Sequence, residues 1–69
     1  MIKCHLSTIM GQHKMKIADV SRVTGLNRST ITAMYSEEAK RIDLDAIEKL
    51  CKLFNCNVSD LFEFIDDNK

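Results

Sequence analysis

A chain of 69 residues with 45% apolar side chains, no proline and no tryptophan is long enough for one small domain and leaves little room for a catalytic cleft. Ten basic and ten acidic residues cancel to a formal net charge of zero, so the chain is not a uniformly basic nucleic-acid binder. No apolar run approaches the ~20 residues of a membrane span, and the N-terminus lacks the apolar stretch and small-residue cleavage site of a signal peptide, so a cytoplasmic protein is expected.

The first helix is expected near residues 2–12, where Ile2, Leu6, Ile9 and Met10 fall along one face. The stretch that follows, IADVSRVTGLNRSTITAM over 17–34, predicts two short helices near 17–24 and 28–35 folded across one tight turn. Gly25 stands at the turn, where a positive φ costs glycine nothing. Ser21 is small enough for the two helices to lie close, and Val20, Leu26, Ile31 and Met34 supply the apolar side. Leu44, Ile47, Leu50, Cys51 and Phe54 form the stripe of a fourth helix near 44–54, ended by Asn55 in the left-handed C′ position. A fifth is expected near 58–65, followed by an acidic tail, 66–69, that frays. No segment alternates with period two.

Four of these starts share one pattern, an apolar residue and a cap followed by a second apolar residue four places on: Met15-Lys16-Val20, Leu26-Asn27-Ile31, Ile42-Asp43-Ile47 and Cys56-Asn57-Leu61. Each apolar pair can close over the cap as a hydrophobic staple. Asn27, Asp43 and Asn57 are good caps, able to accept an orphan N–H of the first turn. Lys16 is a poor one, compensated by Asp19 at the positive end of the helix. The expected fold is all-α, a compact bundle of five short helices in one domain over 1–69, with helices one, four and five covering the apolar underside of the pair at 17–35.

Charge is unevenly spread along this bundle. Residues 1–41 hold seven Lys or Arg against three acids and residues 42–69 hold three against seven, about +4 and −4. The positive half is the half with the helix pair, the kind of unit that places its second helix in the DNA major groove.

These residues identify a family resemblance. IADVSRVTGLNRSTITAM and, at the correct distance downstream, AKRIDLDAIEKLCKLFNCNVSDLFE resemble the Cro/C1-type (XRE-like) helix-turn-helix family of bacterial and phage transcription regulators, and the match runs from about Ile2 to Ile65. The resemblance implies a lambda repressor-like DNA-binding domain, and a regulator, most simply a repressor, whose partner is double-stranded DNA. It implies that the helix capped by Asn27 is the recognition helix, with Arg28, Ser29 and Thr32 outward as base-contact candidates. Arg28 could bind guanine O6 and N7 or a phosphate; Ser29 and Thr32 could read a base edge or a thymine methyl. Phosphate contacts would fall to Lys14, Lys16, Tyr35, Ser36, Lys40 and Arg41, with the N–H groups opening the second helix of the bundle. Two features depart from the family pattern. Ile17 stands where many members open that helix with a polar side chain, and Glu37 and Glu38 in the following loop should repel phosphate unless they point away.

A single small module covers little DNA, so a homodimer is expected. The run from Leu61 to Ile65 has more large apolar residues than one helical face can bury, which makes Phe62, Phe64 and Ile65 candidates for the dimer interface; alternatively both rings fold back into a small core. Three cysteines, Cys4, Cys51 and Cys56, argue against a disulfide framework and for a reducing compartment. No metal or other cofactor is expected, since no C-x-x-C or H-x-x-x-H spacing occurs. His5 and His13 have no nucleophile arranged with them, and His13 sits where it could cap helix carbonyls. The rival to DNA binding is a protein-interaction module on the same scaffold, an antirepressor or antitoxin, favoured by the zero net charge, Glu37, Glu38 and the apolar C-terminus.

Overall fold

The computed structural model describes residues 1–66. Along the chain come β1 (Ile2–Cys4), α1 (Leu6–Gln12), α2 (Ile17–Thr24), α3 (Arg28–Tyr35), α4 (Leu44–Phe54), α5 (Val58–Leu61) and β2 (Phe62–Phe64). Five helices therefore form, but the outer two are shorter than expected, and the fold is mostly rather than wholly α. Of the expected acidic tail, Asp67, Asn68 and Lys69 lie outside the described residues.

One core joins all the elements. Leu6, Ile9 and Met10 enter it from α1, Val20 from α2, Ile31 and Met34 from α3, Leu50 and Phe54 from α4, Leu61 from α5 and Cys4 from β1. The four residues expected to staple helix entries, Met15, Leu26, Ile42 and Cys56, all pack against this cluster. Their stapled partners Val20, Ile31 and Leu61 are fully buried, and Ile47 is partly so.

The caps behave less uniformly. Asp19 Oδ2 accepts the N–H of Lys16 at 3.0 Å, and Asp60 Oδ2 accepts that of Asn57 at 2.9 Å, so both helices are closed by the acid three places in. Asn27 and Asp43 take the extended cap backbone, yet neither side chain bonds the first turn. These two starts are therefore marked by the apolar staple and the extended cap backbone, without a side-chain bond.

Gly25 (φ 77) and Asn55 (φ 51) both adopt the left-handed conformation at helix ends, as their positions require. The Gly25 N–H bonds the Ser21 carbonyl at 2.8 Å. No atom lies within 4 Å of where a Cβ on Gly25 would stand, so glycine is needed for its backbone alone. Gly25→Ala should accordingly cost about 1 kcal/mol, the strain of an L-residue in this region, without altering the fold. In urea titrations the midpoint falls with the slope unchanged; an unshifted midpoint would contradict the assignment.

The correction at the termini is a two-stranded antiparallel sheet, pairing Ile2 with Phe64, Lys3 with Glu63 and Cys4 with Phe62. Bonds from His5 N–H to the Leu61 carbonyl and from Ile65 N–H to the Met1 carbonyl, both 2.8 Å, continue the ladder at its two ends. Ile2 therefore belongs to no helical stripe and is 63% exposed. Alternation puts Ile2, Cys4, Phe62 and Phe64 on one face. The core reaches only under the Cys4–Phe62 pair, so Cys4 is buried, Phe62 half-buried and Phe64 70% exposed. His13 is the C-cap of α1, its backbone N–H bonding the Ile9 carbonyl at 3.1 Å, while its ring meets Phe54 edge-on with centroids 4.9 Å apart.

Candidate nucleic-acid interface

The exposed side of α3 is set by what the other side buries. Ile31 and Met34 are sealed in the core, which fixes the rotation of the helix about its axis. Arg28, Ser29, Thr32, Tyr35 and, just past the last turn, Ser36 are consequently exposed along one stripe. Leu26 is held by two short contacts: Ser21 Oγ donates to its carbonyl at 2.6 Å and Thr24 Oγ1 accepts its N–H at 3.2 Å. Ser21 thus does more than leave space, since it locks the turn that aims α3 against α2.

Cations divide into two groups. Lys3, Arg22, Lys49 and Lys52 are matched with Glu37, Asp19, Asp45 and Glu48 at 3.0–3.8 Å. Among the described residues, Lys14, Lys16, Arg28, Lys40 and Arg41 are the Lys and Arg side chains without an acidic partner, and all five are exposed. They come from the turn before α2, the start of α3 and the loop between α3 and α4. Among the described residues, positive charge left unneutralised therefore belongs to the segments around the helix pair, whereas Lys49 and Lys52 of the acid-rich second half are paired within α4.

A model of the Cro/C1-type helix-turn-helix DNA-binding domain matches residues 5–67. The chain belongs to this family. It is also 24% identical over 63 residues to YozG, an uncharacterized HTH-type transcriptional regulator of Bacillus subtilis (strain 168), an alignment covering 91% of this chain and 75% of that protein. In the Cro/C1-type domain α2 and α3 are the two helices of the motif, and DNA is the partner for which such a domain is built. Among the described residues no helix is long and apolar enough to cross a membrane.

The two departures of this Cro/C1-type chain from its family pattern have structural explanations. Ile17 packs against the core, so the first turn of α2 gains burial where a polar side chain would face outward. Glu37 is turned away: its carboxylate accepts the Cys4 N–H at 3.2 Å and lies 3.8 Å from Lys3 Nζ, which ties the end of α3 to β1. It does so from the left-handed region (φ 59), a conformation costly enough to need such anchoring. Glu38 remains exposed. At the start of α2 the Lys16 N–H is occupied by Asp19, so the free N–H groups expected there begin one residue later.

Glu37 is the residue of this region that sequence reasoning assigned no structural part, because its partners lie 33 and 34 positions away and leave no local pattern. The histidines are engaged structurally, His5 Nε2 with Glu63 Oε1 at 2.8 Å and His13 with Phe54. Burial above all, with Glu37 adding to it, pushes the Cys4 thiol up, which keeps it a neutral core group. The described residues hold no group of three or more His, Cys, Asp or Glu arranged for a metal ion.

Proposed function

We propose that this Cro/C1-type protein is a sequence-specific regulator of transcription that binds double-stranded DNA with α3 in the major groove and represses by occupying its operator. The observation that carries this reading is the coincidence, among the described residues, of an exposed Arg28-Ser29-Thr32 stripe with four further unpaired cations, Lys14, Lys16, Lys40 and Arg41, in the segments flanking it. Arg28 is suited to the O6 and N7 of a guanine or to a phosphate, and Ser29 and Thr32 to base edges or a thymine methyl. Lys14, Lys16, Lys40 and Arg41 neutralise phosphates, helped by the hydroxyls of Tyr35 and Ser36. YozG bears the name of a regulator of transcription, which accords with this role.

The working unit is a symmetric homodimer. Phe64 and Ile65 project beyond the core beside Ile2 and Met1, an exposed apolar end that a second copy can cover, whereas half-buried Phe62 serves chiefly to close the core beneath it. With two recognition helices about 34 Å apart, the operator is roughly palindromic with half-sites one helical turn apart.

Salt dependence of duplex binding tests the electrostatic part. Neutralising one phosphate with each of five cations gives a slope of log K against log[salt] of about −4.5 per subunit, about twice that for a dimer. Polarisation titrations between 50 and 200 mM salt, roughly the range over which such contacts cost orders of magnitude, measure it directly. Binding with a slope near zero refutes the assignment of these cations. No binding even at low salt favours the second reading, a protein-interaction module, which draws support from the exposed Leu44 and Val58 lining one open cavity.

A further inference from the structure

The end of α4 brings two cysteines together. Asn55 leaves the helix in the left-handed region (φ 51, ψ 51), its N–H and that of Cys56 both turn back to the carbonyl of Cys51, and the Cys56 bond measures 3.0 Å. This six-residue closure is the Schellman arrangement, in which the side chains of the first and last residues meet. That contact is ordinarily between two apolar groups, and here it is between two thiols. The closure sets Cys51 and Cys56 side by side at the helix end, and the two line one open cavity with Leu44, Ile47 and Val58. Both are half-buried, within reach of a small reagent, whereas Cys4 is sealed in the core.

We propose that Cys51 and Cys56 are a dithiol modification site, closing reversibly to an intrachain disulfide by exchange with a low-molecular-weight disulfide. The thiolate of one cysteine attacks the small disulfide RSSR, forming a mixed disulfide and releasing RS⁻. The other cysteine, as thiolate, then attacks the protein sulfur of that mixed disulfide and expels the second RS⁻. In sum the two protein thiols lose two protons and two electrons, and RSSR is reduced to two RSH.

Folding favours the second step. The turn holds the resolving sulfur beside its target, so the ring closes without searching. Burial first, then Cys51 and Asp60 alongside, push the Cys56 thiol up, so closure quickens as pH rises and thiolate forms. In a reducing compartment the open dithiol prevails, and the disulfide accumulates when the ratio of small disulfide to thiol rises. The site stands apart from the DNA-binding reading and needs no part of it.

The test equilibrates the whole reduced protein in buffers of glutathione and glutathione disulfide, then quenches with acid, alkylates free thiols and maps the peptides by mass. The expected product has lost two hydrogens, links Cys51 to Cys56 and carries an alkylated Cys4. Its ratio to the reduced protein should be at least about tenfold higher in native buffer than in guanidinium chloride, a difference of about 30 mV in potential. Cys51→Ser and Cys56→Ser should each stop at the mixed disulfide. Wild-type protein that also stops there, or an equal ratio in native and denaturing buffer, overturns the proposal, and neither outcome depends on how well a variant folds.

Discussion

Leu61→Ala should lower the stability of the protein by about 2–5 kcal/mol, through lost burial and the cavity left behind. A chain of this length has roughly 3–10 kcal/mol to lose, so this one change removes a large part of the total. The reason lies in the brevity of α5, a single turn whose one buried side chain is Leu61. The Leu61 carbonyl also receives the His5 N–H, and β2 starts at the next residue, so loosening this point releases the sheet as well. Phe64→Asp, three positions on, should leave helicity unchanged while weakening self-association, because that ring stands in solvent in the single subunit. Circular dichroism and sedimentation of the two variants separate the outcomes. If Phe64→Asp unfolds the protein, the apolar end belongs to the core and the dimer surface lies elsewhere.

At a cognate operator, Arg28→Ala or Thr32→Ala should cost about 1–3 kcal/mol, roughly 5- to 150-fold in affinity, if the side chain reads a base. The loss should be confined to operators carrying the preferred base at one position, and preference there should relax. Folding is expected to be untouched, since both side chains are exposed. Ile31→Ala, one position from Thr32 and fully buried, is the contrasting case, because it should lower stability and DNA binding together. Competition titrations against a panel of single-base operator variants distinguish the possibilities. A uniform loss across the panel reassigns the residue to a phosphate, and no loss removes it from the interface.

Residues responsible for the candidate interface and those responsible for the exposed apolar end are joined through Glu37. Its carboxylate holds the end of α3 to the N–H of Cys4 and to Lys3, both in β1, and β1 carries Ile2 beside Phe64. In the proposed dimer, covering that end therefore also steadies the strand to which α3 is anchored. Two carboxylates that looked like an obstacle to DNA binding thus have separate fates, one recruited as a brace and one left at the surface.

Helix positions were largely legible from the amino-acid sequence because the interactions that start and stop helices join residues no more than five positions apart. The apolar pairs astride Lys16, Asn27, Asp43 and Asn57, the turn at Gly25 and the left-handed Asn55 each carry their own local signature, and the stripe of Arg28, Ser29 and Thr32 follows from where Ile31 and Met34 must go. The two strands had no such signature. Three residues are too few to show alternation, and Ile2 happens to continue the period of Leu6 and Ile9, so only the meeting of segments some sixty positions apart turns them into a sheet. The same reason governs Glu37 on β1 and His13 on Phe54, contacts between residues distant in sequence that tertiary packing alone decides.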